Sequence, residues 1–533
     1  MRRPWRILGV LCVSLLMIGL DNTILSVALP TLVRQLHASS SQLQWIVDSY
    51  TIVFAGLLLV AGSLGDRFGR KWALLAGLGI FNLGSLLSAF AGSPEVLIAT
   101  RALMGVGGAF VMPATLSILT NVFVDPGQRE KAIGIWAGVS GVGVAIGPIA
   151  GGLLLQHFWW GSVFLINVPV VAAGMVAGAV LVPNSADPRA PRLDPVGSAL
   201  SIVGLSVLLW GIIEAPMTGW MSPRVIGGMV AGIVILAAFL AWELYTDHPM
   251  LNLGFFRNRR FSSACAAVSL VMFGLFGALF VLTQHLQFVM GYSALEAGIR
   301  FIPLAGMLLL GGPLSTLLVR RFGTKAVAAG GMTIVAGAFA WMATVTDGSP
   351  YLAHILGPIL LMGLGMGLTM APAIEAIMGS LPRAQAGVGS AMNSSVMQVG
   401  GALGVAVIGS VLASGYRSVV GGVLAGHAVP PIAATAIKSS VGGALEVAHR
   451  APAALGAALA SVARHGFVHG IGLAMPVAAG VALAGAVVVV IFLPARAEGD
   501  PDAGLGGEES LGEPVVEPSE EEAPEWVPIG ARR

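Results

Sequence analysis

Fourteen times along this chain a run of about twenty apolar residues gives way to a short polar or charged break. The runs fall near 7–29, 44–64, 72–91, 96–122, 131–155, 161–182, 195–214, 225–245, 262–287, 296–319, 325–345, 352–376, 384–413 and 468–494. They are continuous rather than alternating, so they read as membrane-crossing helices and not as strands of a barrel. Composition agrees: 10% of residues are charged and 56% hydrophobic. A soluble domain carries about 25% charged residues, and a disordered chain lacks such hydrophobicity. The expected class is an all-α polytopic membrane protein.

The first run, from Ile7, is long enough to span and no small-residue cleavage site follows it, so a retained helix is expected. Cys12 and Cys265 both lie inside apolar runs and suggest neither a disulfide framework nor a metal site. Between Glu498 and Arg533 lie eleven acidic residues and two arginines. Without them the net charge of +2 becomes 26 basic against 15 acidic residues, or +11. The 496–533 tail, rich in Pro, Gly and Glu, is expected to be a disordered appendage.

Positive charge orients the helices. With the N-terminus in the cytoplasm, inner loops and ends hold eighteen Lys and Arg. They include Arg2, Arg3, Arg67, Arg70, Lys71, Arg189, Arg192, Arg320, Arg321, Lys325, Arg383 and Arg496. The outer loops hold three, Arg34, Arg224 and Arg300. Both termini are therefore expected in the cytoplasm, and 414–467 becomes a long outer loop able to fold back as an amphipathic hairpin. A weak repeat is also present. Gly62-Ser-Leu-Gly-Asp-Arg-Phe-Gly-Arg-Lys71 follows the second run, and Gly312 to Lys325, with its own Phe322-Gly323 step, follows the tenth. The expected parts are six helices in 1–182, two inserted helices in 183–250 and six more in 251–495.

Ionisable residues within apolar helices are costly and usually face a cavity or a partner. Asp21 lies eight residues from the outer end of the first run, roughly 12 Å deep. An unpaired carboxylate there could trade a proton for a cationic substrate; a capping or packing role for Asp-Asn-Thr is the alternative. Asp48 shares a helix face with Trp45, so charge and the indole together could hold an organic cation. An interfacial aromatic with an acid near a helix N-terminus explains the same pair. Arg101, five residues into the fourth run, demands a carboxylate, carbonyls or water, unless it snorkels. Glu375, near the inner end of the twelfth run, joins the candidate proton and substrate groups, or is interfacial.

Two glycine-rich stretches suggest moving parts. Gly138 to Gly152, with Gly147, Pro148, Gly151 and Gly152, removes side chains along the fifth helix and permits a bend. In the 62–71 turn, Gly62, Gly65 and Gly69 surround Asp66, Arg67, Arg70 and Lys71. Asp66 at a helix C-terminus is unfavourable alone, so Arg67, Arg70 or another helix's N-terminus must compensate. Such a cluster can latch in one conformation and release in another. His465 and His469 stand four apart without a carboxylate in their sequence neighbourhood, and no phosphate-binding glycine loop or nucleophile–base set appears.

These stretches together resemble the major facilitator superfamily, in particular its fourteen-helix drug:proton antiporter branch. The resemblance rests on Leu20-Asp-Asn-Thr to Ala-Leu-Pro30, the 62–71 turn, the Arg101 helix, Gly138–Gly152 and Phe164-Leu-Ile-Asn-Val-Pro169. Trp45-Ile-Val-Asp-Ser-Tyr50 and Pro249 to Phe261 look closest to quaternary-ammonium, dye and methyl-viologen efflux pumps. The resemblance implies two six-helix bundles plus two inserted helices, and proton-driven export by alternating access. Asp21 and Asp48 match membrane acids of those pumps, and Arg101 would couple protons. The further acids of helices 10 and 13 are missing at Pro303–Met307 and Ser390–Gln398, which points away from divalent cations. The expected protein is a monomeric inner-membrane antiporter surrounded by lipid, with small amphipathic substrates. The proton is its coupling ion, and no metal, other cofactor or nucleic acid is expected. A dedicated exporter of one endogenous antibiotic or lipid is the rival within transport, and a non-transporting sensor or scaffold the rival outside it.

Overall fold

Helix starts are written into the loops. Ser93-Pro94, Asp125-Pro126, Asp194-Pro195 and Ser222-Pro223 each place a capping side chain before a proline at the first helical position. The side-chain oxygen takes a backbone N–H of the first turn, and proline has none to lose. Ser39 caps its helix reciprocally with Gln42.

The computed structural model describes residues 4–186, 194–247, 249, 251, 253–380, 386–425 and 429–493. The acidic tail, and Arg2, Arg3, Arg189, Arg192, Arg383 and Arg496, lie outside the described residues. The described residues contain helices and no strand. The first seven helices are α1 (Pro4–Leu36), α2 (Ser40–Phe68), α3 (Arg70–Ala89), α4 (Pro94–Val122), α5 (Pro126–His157), α6 (Ser162–Leu165) and α7 (Asn167–Leu181). Then come α8 (Pro195–Thr218), α9 (Pro223–Tyr245), α10 (Arg259–Gln284), α11 (Ala294–Ile299) and α12 (Ile302–Met342). The chain closes with α13 (Leu356–Met378), α14 (Ala386–Leu424), α15 (Pro431–Ser439), α16 (Val441–Arg450) and α17 (Ala453–Phe492).

Twelve stretches of the described residues are long and apolar enough to cross a membrane. One of them, 294–342, is two helices in series, because α12 breaks at Gly323. The 32-residue α5 is a further helix of spanning length. This accounts for the fourteen spans read from the sequence. The segment 414–467 is more helical than a loop: 414–424 extend α14 and 453–467 begin α17, with α15 and α16 between.

The weak repeat becomes a repeat of packing. Gly69 (φ 123°) and Gly323 (φ 83°) are the two Phe–Gly steps, and both adopt backbone that L side chains rarely take. Each separates the two arms of a helical hairpin. In the first hairpin α4 lies between α2 and α3: Gly105 and Gly108 face Tyr50 and Phe54, while Gly107 faces Phe81. In the second, α13 lies between the arms of α12: Gly363 and Gly367 face Leu304 and Gly311, while Gly365 faces Gly331 and Val335. Small residues let backbones approach closely where lipid offers no hydrophobic drive for association. Gly105 and Gly363 are thus equivalent. Counting back four residues from each gives Arg101 in one half and the buried Ile359 in the other.

The halves meet at the end that carries the α1–α2 turn. There α2 packs on α14 and α5 packs on α11. Gln44 of α2 donates to the carbonyl of Val405 in α14 at 3.4 Å, and Gln287 donates to that of Val27 in α1 at 2.9 Å. α8 touches both α2 and α14, and so lies along this seam.

Candidate functional site

The site is built on the first half. α1 carries Asp21 into the interior, where the carboxyl is fully buried. α4 carries Arg101 to meet it: Nη1 donates to Asp21 Oδ2 at 2.5 Å, and Arg101 is 2% exposed. Burying such a pair is costly unless the remaining donors and acceptors are also satisfied. Arg101 Nε donates to the carbonyl of Ile46 at 3.2 Å, and the guanidinium stacks 4.5 Å from the Tyr50 ring centroid. The other carboxylate oxygen, Oδ1, accepts from Asn167 Nδ2 at 3.4 Å. Asn167 also donates to Ser85 Oγ at 3.0 Å. Five elements, α1, α2, α3, α4 and α7, therefore converge on one carboxyl.

Sequence reasoning singled out Asp21 and Arg101 separately; the fold makes them partners. It passed over Asn167, Tyr50 and Ser85. Their signal was present, since Asn167 and Tyr50 lie in the quoted Phe164–Pro169 and Trp45–Tyr50 stretches and Asn167 is polar within an apolar run. Nothing in their spacing says that they meet.

Asp48 stands apart from this cluster. It is fully buried, and neither carboxyl oxygen has a hydrogen-bond partner. Residues four apart share a helix face. Above it Gln44 bonds α14, and below it Ile52 joins an apolar cluster with Leu205 and Leu209 of α8 and Ala402 and Ala406 of α14. Gly56, one turn further, abuts Ile202 of α8. Asp48 thus occupies the stripe of α2 covered by α8 and α14. Trp45 packs against that apolar cluster. The acid and the indole expected on one face of α2 are both covered here.

Glu375 is exposed in the last turn of α13, in the second half, and is not brought to Asp21. His285 is 1% exposed, in a wide helical turn after α10, with both ring nitrogens unpartnered. His465 lies 3.3 Å from Asp347, supplying a carboxylate that its neighbourhood in sequence lacked. Among the described residues no group of three or more metal-type ligands occurs.

The glycine stretches resolve into two contacts. On α5, Gly143, Gly147 and Gly151 lie on α1 at Leu16–Ile24, against Leu20, Thr23 and Ile24. Gly152 and Pro148, on another face, meet the second half at Leu295 and Gly298 of α11. One helix therefore clamps its own half and touches the other. At the opposite end of the bundle, Asp66 Oδ1 accepts from Arg70 Nε at 2.7 Å. Arg67 instead stacks over Phe68, 5.7 Å from the ring centroid. Arg70 is thus the compensating base in this conformation. Gly62 lies against Pro113 and Gly65 against Ala73, Gly69 turns the chain, and Lys71 Nζ donates to the carbonyl of Ala179 at 2.5 Å.

The sequence profile of the Major Facilitator Superfamily matches residues 11–405. The chain belongs to the Major Facilitator Superfamily. It is 37% identical over 494 residues to a tetracenomycin C resistance and export protein of Streptomyces glaucescens, covering 92% of this chain and 91% of that one. It is 38% identical to the multidrug efflux pump LfrA of Mycolicibacterium smegmatis, covering 91% and 96%. It is 35% identical to the methyl viologen resistance protein SmvA of Salmonella typhimurium, covering 88% and 94%. The fold matches a bacterial homologue of the lysosomal transporter Spinster, with a TM-score of 0.63 at 18% identity over 93% and 99% of the two chains. This superfamily member is a membrane transporter with many spans, and its matched relatives are efflux and resistance proteins.

Proposed function

We propose that this transporter exports amphipathic, cationic drugs, dyes or biocides in exchange for protons, by alternating access. The observation that carries the reading is the Asp21–Arg101 pair, an exchangeable acid and a fixed cation sealed inside an apolar bundle. A proton arriving at Asp21 cancels the pair's charge attraction, so protonation can change which helices hold together. The efflux and resistance relatives support small-molecule export. In this reading the α1–α2 turn faces outward, both termini lie in the cytoplasm, and the plasma (inner) membrane houses a monomer in lipid. The proton is the coupling ion, with no other cofactor. Asp48 and Trp45 meet the cationic substrate when the seam opens. Asp66 with Arg70 forms the inner latch, and Gly147, Pro148, Gly151 and Gly152 form the outer hinge. Exchange of one proton for one monovalent cation moves no net charge, so the pH gradient drives it; each further proton per cycle would add about 2.3 kcal/mol per 100 mV of membrane potential.

The test is ethidium efflux from vesicles under an imposed pH gradient, comparing the wild type with Asp21→Asn. Gradient-driven efflux that disappears in the variant supports the proposal. Equal efflux in both removes Asp21 from the coupling. A second reading, a dedicated exporter of one natural product, draws on the tetracenomycin C relative. Growth-inhibition profiling separates them: a broad pump protects against many unrelated cations, a dedicated one against a single chemical class.

A further inference from the structure

Asn167 opens α7 and is fully buried. Its Nδ2 donates to Asp21 and to Ser85. Ser85 commits its own proton to the carbonyl of Phe164 at 2.9 Å. Ser85 is therefore an acceptor towards Asn167, which fixes which end of the carboxamide faces it. The carboxamide oxygen is left buried with no hydrogen-bond partner. Unpaired buried acceptors are rare and usually have a reason.

The groups around Asp21 are few. α4 supplies Arg101, the one charge paired with it among the described residues. α2 supplies Tyr50, whose ring carries the guanidinium and whose hydroxyl is unpartnered. α3 supplies the uncharged Ser85, and α5 lays Gly143 and Gly147 along α1.

We propose that Asn167 is a positioning residue that holds the protonated form of Asp21. The inference rests on Asp21 being the exchangeable site. Ionised, Asp21 belongs to Arg101. Protonated, it loses that attraction and gains an O–H that needs an acceptor. Arg101 offers only donors. Asn167 already touches Asp21, and its orphan oxygen is fixed covalently beside the nitrogen that does so. A rotation of the two side chains closes an acid–amide pair: the acid O–H donates to Asn167 Oδ1, and Asn167 Nδ2 donates to the acid carbonyl. The proton comes from water and returns to water, and no bond other than O–H is made or broken. The ion then ties α1 to both α4 and α7, and the acid ties it to α7 alone.

The experiment is the pH profile of gradient-driven ethidium efflux in Asn167→Leu, which keeps the shape and removes both polar atoms. If Asn167 holds the acid, losing it makes Asp21 harder to protonate. The half-maximal pH moves in the acid direction by about one unit, tenfold in proton concentration. If Asn167 merely braces the carboxylate, the shift is in the alkaline direction, and an unmoved profile means no role; either overturns the proposal. Should Asn167→Leu not fold, infrared difference spectra of the wild type with 13C-labelled asparagine decide. A carboxamide carbonyl band that shifts to lower frequency on acidification, and does not shift in Asp21→Ala, supports the proposal. No such band overturns it. If no pH gradient drives efflux even in the wild type, the proton-antiport reading itself has failed, which the other outcomes do not imply.

Discussion

Arg101 and Asp21 meet at 2.5 Å across 80 residues of sequence, 2% and 0% exposed. Neither residue has water to fall back on. The same burial that strengthens the pair penalises either member left alone.

Removing one member should therefore be worse than removing both. Arg101→Met is expected to cost about 3–5 kcal/mol, the typical penalty for an orphaned buried charge. The double variant Asp21→Asn with Arg101→Met should recover most of the folded protein while gradient-driven efflux stays lost. Thermal melting in detergent beside vesicle efflux checks both. Arg101→Lys should not rescue, because a lysine cannot span Asp21, the Ile46 carbonyl and the Tyr50 face together.

Asp48 should show the opposite balance between stability and activity. Its carboxyl is buried without a hydrogen bond between α2, α8 and α14. Replacing an unsatisfied buried polar group by an apolar one of similar size removes a penalty of about 1–3 kcal/mol. Asp48→Leu is expected to melt at a higher temperature and to export cationic dyes poorly. A variant that melts lower would show that the carboxyl is satisfied in the resting protein.

The Asp66–Arg70 pair is partly exposed, with side chains 30% and 19% accessible. An i, i+4 pair of this kind contributes only about 0.3–0.5 kcal/mol. Asp66→Asn should leave the melting temperature nearly unchanged. If the pair is a latch, efflux falls by tenfold or more all the same. A loss of efflux matched by an equal loss of folded protein would mark the turn as structural only.

The contact between α5 and α11 leaves no room for a side chain. The first side-chain carbon of any residue at Gly152 would lie 2.6 Å from the Leu295 Cα, a backbone atom that cannot swing aside. Gly152→Val is therefore expected to hold α5 and α11 apart and to lower efflux by tenfold or more while the protein stays inserted, checked by vesicle efflux beside thermal melting in detergent. Efflux equal to the wild type would mean that this contact is dispensable in the cycle.

Much of this molecule was legible before folding. The number of helices, the two Phe–Gly turns and the capped helix starts depend on local sequence: about twenty apolar residues must cross as a helix, glycine alone tolerates the backbone at Gly69 and Gly323, and a Ser-Pro or Asp-Pro step supplies both the cap and the first helical residue at Pro94, Pro126, Pro195 and Pro223. The cost of Asp21 and Arg101 in an apolar run was equally local, so both could be named as candidates. Their pairing was not. Whether a buried charge finds a partner depends on which helix faces turn towards each other, and that is settled by glycines on α4 and α5 acting at a distance in sequence. The same holds for Asn167, which reads as one polar residue in a motif until α7 is set beside α1 and α3. Asp48 makes the point from the other side. Its spacing from Trp45 placed both on one face of α2 but could not say that α8 and α14 pack over that face, because only the tertiary arrangement decides what covers a helix.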